Sequence, residues 1–593
     1  MADRKKIKIT PVKGIPMLNW FGKKPVEYIK CSQTQLVEVF DPLETGLKYE
    51  IPRFEDLGKN WQNLLFYGDN KEILASVFEL GFKGKIDLIY IDPPFKSGAD
   101  YVRKIELRGL KETKTDVDDA DLLQQTMYFD IWNNDAYLQF MYERLILMKE
   151  LLNESGSIYV HLDWSVKDYI KILMDEIFGE ENFLGEIIWY RYNKIPDKTK
   201  KLYFKMHDTI ILYAKKKGLH YFNPIITSTG ELIKRKKMKK INGKIANLEE
   251  YTEYEKELLL TRSVINFIPD INIGNSHEKL SFETQKPEKL IELFILASSK
   301  EGDLVLDCFT GSGTTAAVAQ KLGRRWIGCD INKRAVQLTS LRLQKIIKEQ
   351  IEEGKIKYPV FSVYKANNYD LKILHTEAIK LAIKHIGIQR IRTDNFFDGT
   401  LRKKLVKIID FNHPLTVFDL QILQDELKNR PNEERDITIV CLGKEYMVDA
   451  WIDEWNKKHP VNKIDVIELK ADKKYRGFLI HKPAEAKVKI ERINNKAIIE
   501  IEDFISPTII EKLNIDITIC KVKISDFRSM IDCVLIDNNY NETVFHIVYS
   551  DIPENKTDLI KAKYEIDVPT ESTKVAVKII DILGEEVLIA REI

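Results

Sequence analysis

The run Ile86-Asp87-Leu88-Ile89-Tyr90-Ile91, closed by Asp92-Pro93-Pro94-Phe95, constrains this chain more than any other stretch. Its residues are β-branched, aliphatic or aromatic, and only Asp87 is charged, so it reads as a strand covered on both faces. The two prolines end it, since neither can donate to a sheet ladder. A strand buried on both sides needs helices above and below, and the flanking sequence supplies them. Leu64 to Tyr67 is apolar and leads into a helix-like Lys71 to Leu80. A helical pattern from Asp135 to about Leu152 precedes the strand-like Ser157 to Leu162, and a further helix ends near Phe178-Gly179. This alternation specifies a doubly wound α/β domain with a parallel sheet.

The pattern resumes with a helix after Pro287, the strand Leu304 to Asp307, a helix from Ala316 to Leu322, a strand at Trp326 to Cys329 and a long helix from about Ala335 to Glu352. Between the halves lies a basic segment. From Arg191 to Lys244 sixteen Lys or Arg stand against three Asp or Glu, while the whole chain carries only +1, which leaves about −12 for the remainder. Such concentration suits a polyanion, and nucleic acid is the partner it points to. Beyond residue 370 the character changes. A helix is expected over Glu377 to Ile386, strands at Ile437 to Cys441 and Asp465 to Leu469, and a hairpin turning at Asn494-Asn495. The expected divisions are an N-terminal extension (1–60), a first half-domain (61–190), the basic insert (191–285), a second half-domain (286–370), an accessory α/β region (371–480) and a β-rich module (481–593).

Composition narrows the classes further. A chain of 593 residues exceeds one core, and no apolar run reaches the roughly 18 residues that span a bilayer. The charged N-terminus lacks an apolar h-region, so a cytoplasmic protein is expected. Six scattered cysteines without a Cys-x-x-Cys pair argue against a zinc site or a disulfide framework, and no metal is expected.

Two motifs carry chemistry. Asp92-Pro93-Pro94-Phe95 follows a buried strand, where parallel sheets place ligands. A carboxylate and a rigidly aimed proline carbonyl can accept both hydrogens of an aromatic amine and favour the pyramidal nitrogen that attacks an electrophile. Phe95 offers a face on which a flipped base can stack. The plainer alternative is a strand-ending turn. The second motif, Asp307-Cys308-Phe309-Thr310-Gly311-Ser312-Gly313-Thr314-Thr315, is a strand, a Gly-rich turn and a helix start. It lacks the Gly-Lys-Ser/Thr of a P-loop and the third glycine of a dinucleotide fingerprint. Asp330, seventeen residues after Gly313, ends the next strand, where a carboxylate can hold ribose hydroxyls. A nucleoside cofactor follows, with nicotinamide left open by this motif alone.

These motifs and their order resemble the β group of amino-methylating DNA methyltransferases, in which the catalytic motif precedes the cofactor motif. Asp92 to Phe95 resembles the catalytic motif, and Phe309-x-Gly311-Ser312-Gly313-Thr314 the cofactor loop. Thr284-Gln285-Lys286-Pro287 looks like the segment lining the methionine end of S-adenosylmethionine, and Gly68-Asp69-Asn70 like the family's Gly-Asp motif, which implies that Asp69 borders the adenine of the cofactor. The likeness covers roughly 61 to 365, and the stretches Phe140 to Asp163 and Glu186 to Lys215 look like those of adenine methyltransferases related to type III modification subunits. The resemblance implies a Rossmann-like S-adenosylmethionine-dependent domain, double-stranded DNA as substrate, N6 of adenine over N4 of cytosine because Asp stands where the latter more often have Ser, a homodimer, and a place in restriction-modification or phage defence. It also gives the insert a role in reading the target, with Lys234, Arg235, Lys236, Lys237, Lys239 and Lys240 neutralising phosphates.

Other features weigh less. Trp189, Tyr190 and Tyr192 stack on bases or pack in the core, His161 reads as structural, and Glu468-Leu469-Lys470 has the Glu-x-Lys form of a nuclease site, though an exposed strand end explains it well. The rivals are a nicotinamide-dependent oxidoreductase, which leaves Asp92 to Phe95 and the basic insert unexplained, a non-catalytic specificity subunit, and methyl transfer to RNA or protein.

Overall fold

A computed structural model describes residues 6–8, 16–20, 22–31, 34–45, 53–57, 61–94, 101–105, 107–109, 123–128, 134–193, 203–241, 244–271, 285–366, 383, 386–390, 394, 396–409, 414–441, 443–445, 447–469, 483–512, 524, 526–555, 557–569 and 572–593. Of 6, 30, 101–105, 123–128, 134–136, 228–241, 244–258 and 511–512 it describes the backbone alone. Phe95, Thr284 and most of the expected helix from Glu377 to Ile386 lie outside the described residues.

The centre is an eleven-stranded sheet in the order Val264–Ile265, Phe183–Tyr190, His207–Ala214, Leu152–Leu162, Ile86–Ile91, Leu304–Asp307, Arg325–Asp330, Asn63–Tyr67, Phe361–Ala366, Thr34–Phe40, Phe545–His546. The six strands from Leu152–Leu162 to Phe361–Ala366 run parallel. The two-residue period of the strands sorts their side chains between two cores. Leu64, Phe66, Ile89 and Ile91 join Ile73, Leu145 and Ile170 of the helices Asn70–Val77, Asn134–Leu151 and Lys167–Phe178. Leu65, Tyr67, Leu88 and Tyr90 join Leu290, Val318 and Leu343 of Glu288–Ser298, Thr314–Lys321 and Lys333–Glu352. The domain is therefore doubly wound and Rossmann-like.

Topology positions the site. The adjacent strands Ile86–Ile91 and Leu304–Asp307 pair in parallel, yet the chain leaves the first towards Leu152–Leu162 on one side and the second towards Arg325–Asp330 on the other. Diverging crossovers leave a crevice above the carboxyl ends of the two strands, the switch point at which such sheets take ligands.

Two expected ranges change. His207–Ala214, within the range read as insert, is a nearly wholly buried strand of the central sheet, antiparallel to both Leu152–Leu162 and Phe183–Tyr190. Thr34–Phe40, within the range read as an extension, pairs antiparallel with Phe361–Ala366. Both add to a sheet whose apolar faces were already covered, so pairing, not local periodicity, recruits them. What projects from the insert is a two-stranded hairpin, Ile226–Ile241 against Lys244–Leu259, in which Lys234 lies opposite Glu253 in the backbone register. The two strands hold eight Lys or Arg against six Glu, so the hairpin is far less cationic than its first strand alone.

The remaining chain forms two further units. A five-stranded sheet, Gln389–Arg390, Gly399–Leu401, Lys404–Ile408, Ile437–Cys441 and Ile464–Glu468, has its own core with Leu420 and Trp455. The last unit contains the hairpin Glu485–Ile493 and Lys496–Ile505, turned at Asn494 with φ +56°, and a four-stranded sheet built around Ile531–Asp537 and Lys574–Asp581. No helix among the described residues is long and apolar enough to cross a membrane.

Candidate active site

Asp92 leaves its strand at the crevice with its carboxylate divided between two environments. Oδ2 pairs with Lys286 Nζ, and the two side chains are only 18% and 11% exposed. Oδ1 is buried and has no hydrogen-bond partner among the described residues. An oxygen in that state costs free energy unless a donor arrives, so the site is built to accept one. Pro93 is buried and Pro94 half-buried beside it. Lys286 is delivered from the other half-domain, where Pro287 caps the helix Glu288–Ser298.

The Gly-rich turn lies across the crevice. Asp307 accepts the Phe309 amide at 2.9 Å on one oxygen and the Thr315 hydroxyl at 2.6 Å on the other. Burial, only partly offset by those bonds, pushes its carboxyl up to about 7. Gly311 and Gly313 adopt left-handed φ of +53° and +75°, and a Cβ on Gly313 would meet Thr339 Cγ2 at 2.7 Å. Gly313 is thus needed where the loop packs directly on the Thr339 side chain. Ser312 and Thr314 share a hydroxyl contact of 3.2 Å, and Arg342 ties the loop down by donating to Ser312 O at 2.9 Å and to Glu288 Oε1 at 2.7 Å. Asp330 accepts the amides of Gly311 and Asn332, each at 2.8 Å, and burial outweighs these bonds to raise its carboxyl to about 6.

Asp69 and Asn70 border the same edge. Gly68 passes Ala366 so closely that a Cβ would stand 2.8 Å from Ala366 Cβ. Asp69 then caps the helix Asn70–Val77 through the Lys71 amide at 2.8 Å and pairs with Arg144 at 2.8 Å. Asn70 donates to Cys308 O at 2.9 Å and accepts from Arg144 Nε. The Arg144 guanidinium lies 3.5 Å from the Phe140 ring centroid, and Phe140 in turn meets Phe309. Arg144 is 3% exposed and fixes Asp69 and Asn70, the second of which reaches across to Cys308 of the other half-domain, a role missed from sequence. The available signal was an Arg set among Tyr142, Leu145, Ile146 and Leu147 in a helix, where a charge must find a partner.

His161 is fully buried, 2.9 Å from the Tyr90 hydroxyl and 3.4 Å from Asp208. Burial opposes ionisation of Asp208, but His161 and the Arg191 and Lys286 charges hold its carboxyl well below the usual range. Trp189 is buried and donates to Ile268 O, while Tyr190 and Tyr192 are exposed. Glu468 lies 3.9 Å from Lys444, and Lys470 falls outside the described residues. Among the described residues no three His, Cys, Asp or Glu cluster as a metal site. Of Lys234, Arg235, Lys236, Lys237, Lys239 and Lys240 only the backbone is described, on the hairpin strand.

The sequence-predicted residues Asp69, Asp92, Pro93, Pro94, Lys286, Pro287, Asp307, Phe309, Gly311, Ser312, Gly313, Thr314 and Asp330 therefore all lie on the loops and strand ends along one edge of the sheet. A Rossmann-like sheet with a glycine turn after one strand and a carboxylate ending the next has the layout of a nucleoside-cofactor domain. A family model described as DNA methylase matches residues 86–341. The type II methyltransferase M2.DpnII of Streptococcus pneumoniae is 30% identical over 289 residues, 47% of this chain and 92% of that protein. The type II methyltransferase M.EcaI of Enterobacter cloacae is 27% identical over 320 residues, and the EcoP15I Mod subunit of the Escherichia coli type III restriction-modification enzyme 31% over 206. These alignments take in 45% and 34% of this chain, and the chain spans 66% and 30% of those relatives' lengths. The chain belongs to the DNA methylase family.

Proposed function

We propose that this protein is a site-specific DNA methyltransferase that uses S-adenosylmethionine to methylate N6 of adenine in duplex DNA. The observation that carries the reading is the buried Oδ1 of Asp92, without a hydrogen-bond partner among the described residues, beside Pro93 and across the crevice from the glycine turn. Asp92 and the Pro93 carbonyl accept the two hydrogens of a flipped adenine amine and hold its nitrogen in the geometry for attack. Lys286 compensates the Asp92 charge, which lets a carboxylate stand ready in a dry site. Gly311, Ser312, Gly313 and Thr314, with Asp307, would hold the cofactor. Asp330 would take the ribose hydroxyls, Asp69 would border the cofactor's adenine, and Lys286 and Pro287 would flank its methionine end. When bound, S-adenosylmethionine supplies a sulfonium methyl as electrophile. Catalysis by the chain is positioning, since the leaving group needs no activation. Phe95 stacks on the flipped base, and the hairpin's basic strand contacts phosphates. The setting is cytoplasmic and next to the nucleoid, as a homodimer or with a restriction or defence partner.

Single-molecule sequencing of genomic DNA from a methylation-free host expressing the chain tests this, with Asp92→Ala as control. N6-methyladenine in one sequence context, absent from the control, is expected. Unmodified DNA in both would overturn the proposal, and a modified cytosine would overturn its choice of base.

A further inference from the structure

Oδ1 of Asp92 has no hydrogen-bond partner among the described residues, although the Lys286 ammonium, with three donors on a flexible stem, pairs with Oδ2 of the same carboxylate. A buried oxygen left in that state costs free energy that a small shift of the lysine would recover. The ammonium is therefore held to one side.

The fold supplies the holder. Ile86–Ile91, Leu152–Leu162 and His207–Ala214 are neighbours in the sheet, and their register, Ile91 with Val160 and Leu162 with Thr209, brings Asp92, His161 and Asp208 together at one edge. Strand alternation puts His161 and Asp208 on the face that carries Tyr90, Tyr159 and Ile210. The helix Glu288–Ser298 covers that face, with the Phe294 ring stacked 6.0 Å from Tyr90 and 4.8 Å from Tyr159. Lys286 stands two residues before this helix, where it meets Asp92.

Asp208 is 4% exposed and faces several cations. Its Oδ1 lies 3.1 Å from Arg191 and 3.8 Å from Lys205, and its Oδ2 3.4 Å from His161. Burial opposes its ionisation, and the Lys286 charge joins His161 and Arg191 in overcoming that. Lys205 feels Lys286 as well, for burial pushes its ammonium below the ordinary range and the Lys286 charge pushes the same way. Lys286 thus stands among two carboxylates and a second ammonium, drawn to Asp92 and Asp208 and repelled by Lys205.

We propose that Asp208 is a positioning residue for the reaction, drawing the Lys286 ammonium away from Asp92 Oδ1 so that this oxygen stays open to the substrate amine. The inference rests on the proposed methyl transfer. Without the Asp208 charge the ammonium leans on Asp92 and can span both of its oxygens. The acceptor is then covered, and a flipped base must displace a buried cation before its amine is oriented. His161, 2.9 Å from the Tyr90 hydroxyl, holds the Asp208 carboxylate from the strand between.

The test uses the full-length chain with Asp208→Asn, alone and in a Lys286→Met background, and with Asp208→Glu, which keeps the charge. Steady-state methylation of DNA gives kcat, and titration calorimetry with S-adenosylhomocysteine gives cofactor affinity. Asp208→Asn is expected to lower kcat at least tenfold with affinity within twofold of wild type, and Asp208→Glu to recover part of the loss. In Lys286→Met, where no ammonium remains to move, the same substitution should change kcat less than twofold, a coupling that a merely structural role would not show. A folded Asp208→Asn protein with kcat within twofold of wild type, or an equal fall with and without Lys286, overturns the proposal. Should Asp208→Asn not fold, Asp208→Asn/Arg191→Gln, which removes a cation with the anion, is judged by the same criteria. An inactive wild type overturns the methyltransferase reading instead. In that case, or where Lys286→Met is too slow to follow, crystal structures of the wild type and the Asp208 variant decide, and Lys286 on Oδ2 alone in both overturns the positioning role.

Discussion

The ion pair between Asp92 and Lys286 allows the catalytic and structural roles of one carboxylate to be separated. Asp92→Asn keeps the shape of the side chain but removes the negative charge that faces the Lys286 ammonium, which is 11% exposed. Breaking one side of a buried pair costs about 3–5 kcal/mol, and the residual exposure of both groups brings that to about 2 kcal/mol here. Removing both charges in Asp92→Asn/Lys286→Met removes the mismatch between them, so part of that loss returns, with a coupling of about 1–2 kcal/mol. For a folding unit of this size about 2 kcal/mol corresponds to a fall in Tm of roughly 4–8 °C. Methyl transfer responds differently, because both variants replace the charged acceptor by a neutral amide that accepts more weakly and can turn its NH2 to the substrate, and a preorganised polar group of this kind contributes on the order of 10²–10³ to the rate. Melting followed by circular dichroism and incorporation of labelled methyl groups into DNA measure the two properties. The double variant should regain stability while staying inactive. A double variant no more stable than Asp92→Asn, or an Asp92→Asn enzyme methylating at wild-type rate, would refute the assignment.

Two further outcomes follow from the cofactor loop. The Asp307 carboxyl is raised to about 7 from an ordinary 3.8, so the folded protein holds a proton there that the unfolded chain releases. Its contribution is favourable below pH 4 and is lost as pH rises to about 7, a change on the order of 4 kcal/mol; Tm of the protein without cofactor should fall over that window, and Asp307→Asn should flatten the fall. Gly313→Ala forces a Cβ into a left-handed residue and to within 2.7 Å of Thr339, costing about 2–4 kcal/mol. Titration of the folded variant with S-adenosylhomocysteine should show weakened binding, and unaltered affinity would mean that the loop does not form the cradle.

Much of the centre was legible because its signals are local. A buried strand announces itself by an uninterrupted apolar run, a cofactor turn by Gly311 and Gly313, and the motif after Ile91 by two prolines that no continuing strand tolerates. Arg144 was not legible, because its partners Asp69 and Asn70 lie more than seventy residues away in sequence and nothing in its own helix names them. His207–Ala214 and Thr34–Phe40 were misplaced for a related reason, since a strand at the margin of a sheet owes its place to a neighbour and not to its own pattern.

By itself, then, the amino-acid order determined the doubly wound class, the two motifs and the donor types they present, all consequences of periodicity, turn chemistry and side-chain functionality within a few residues. Only tertiary structure decided that Lys286 pairs with Asp92 from the opposite half-domain, that the other oxygen of Asp92 is buried with no hydrogen-bond partner among the described residues, and that Asp532 joins Arg108 to Arg334. Charges pair through space, and the low dielectric that makes a buried pair matter exists only once the intervening chain has folded around it.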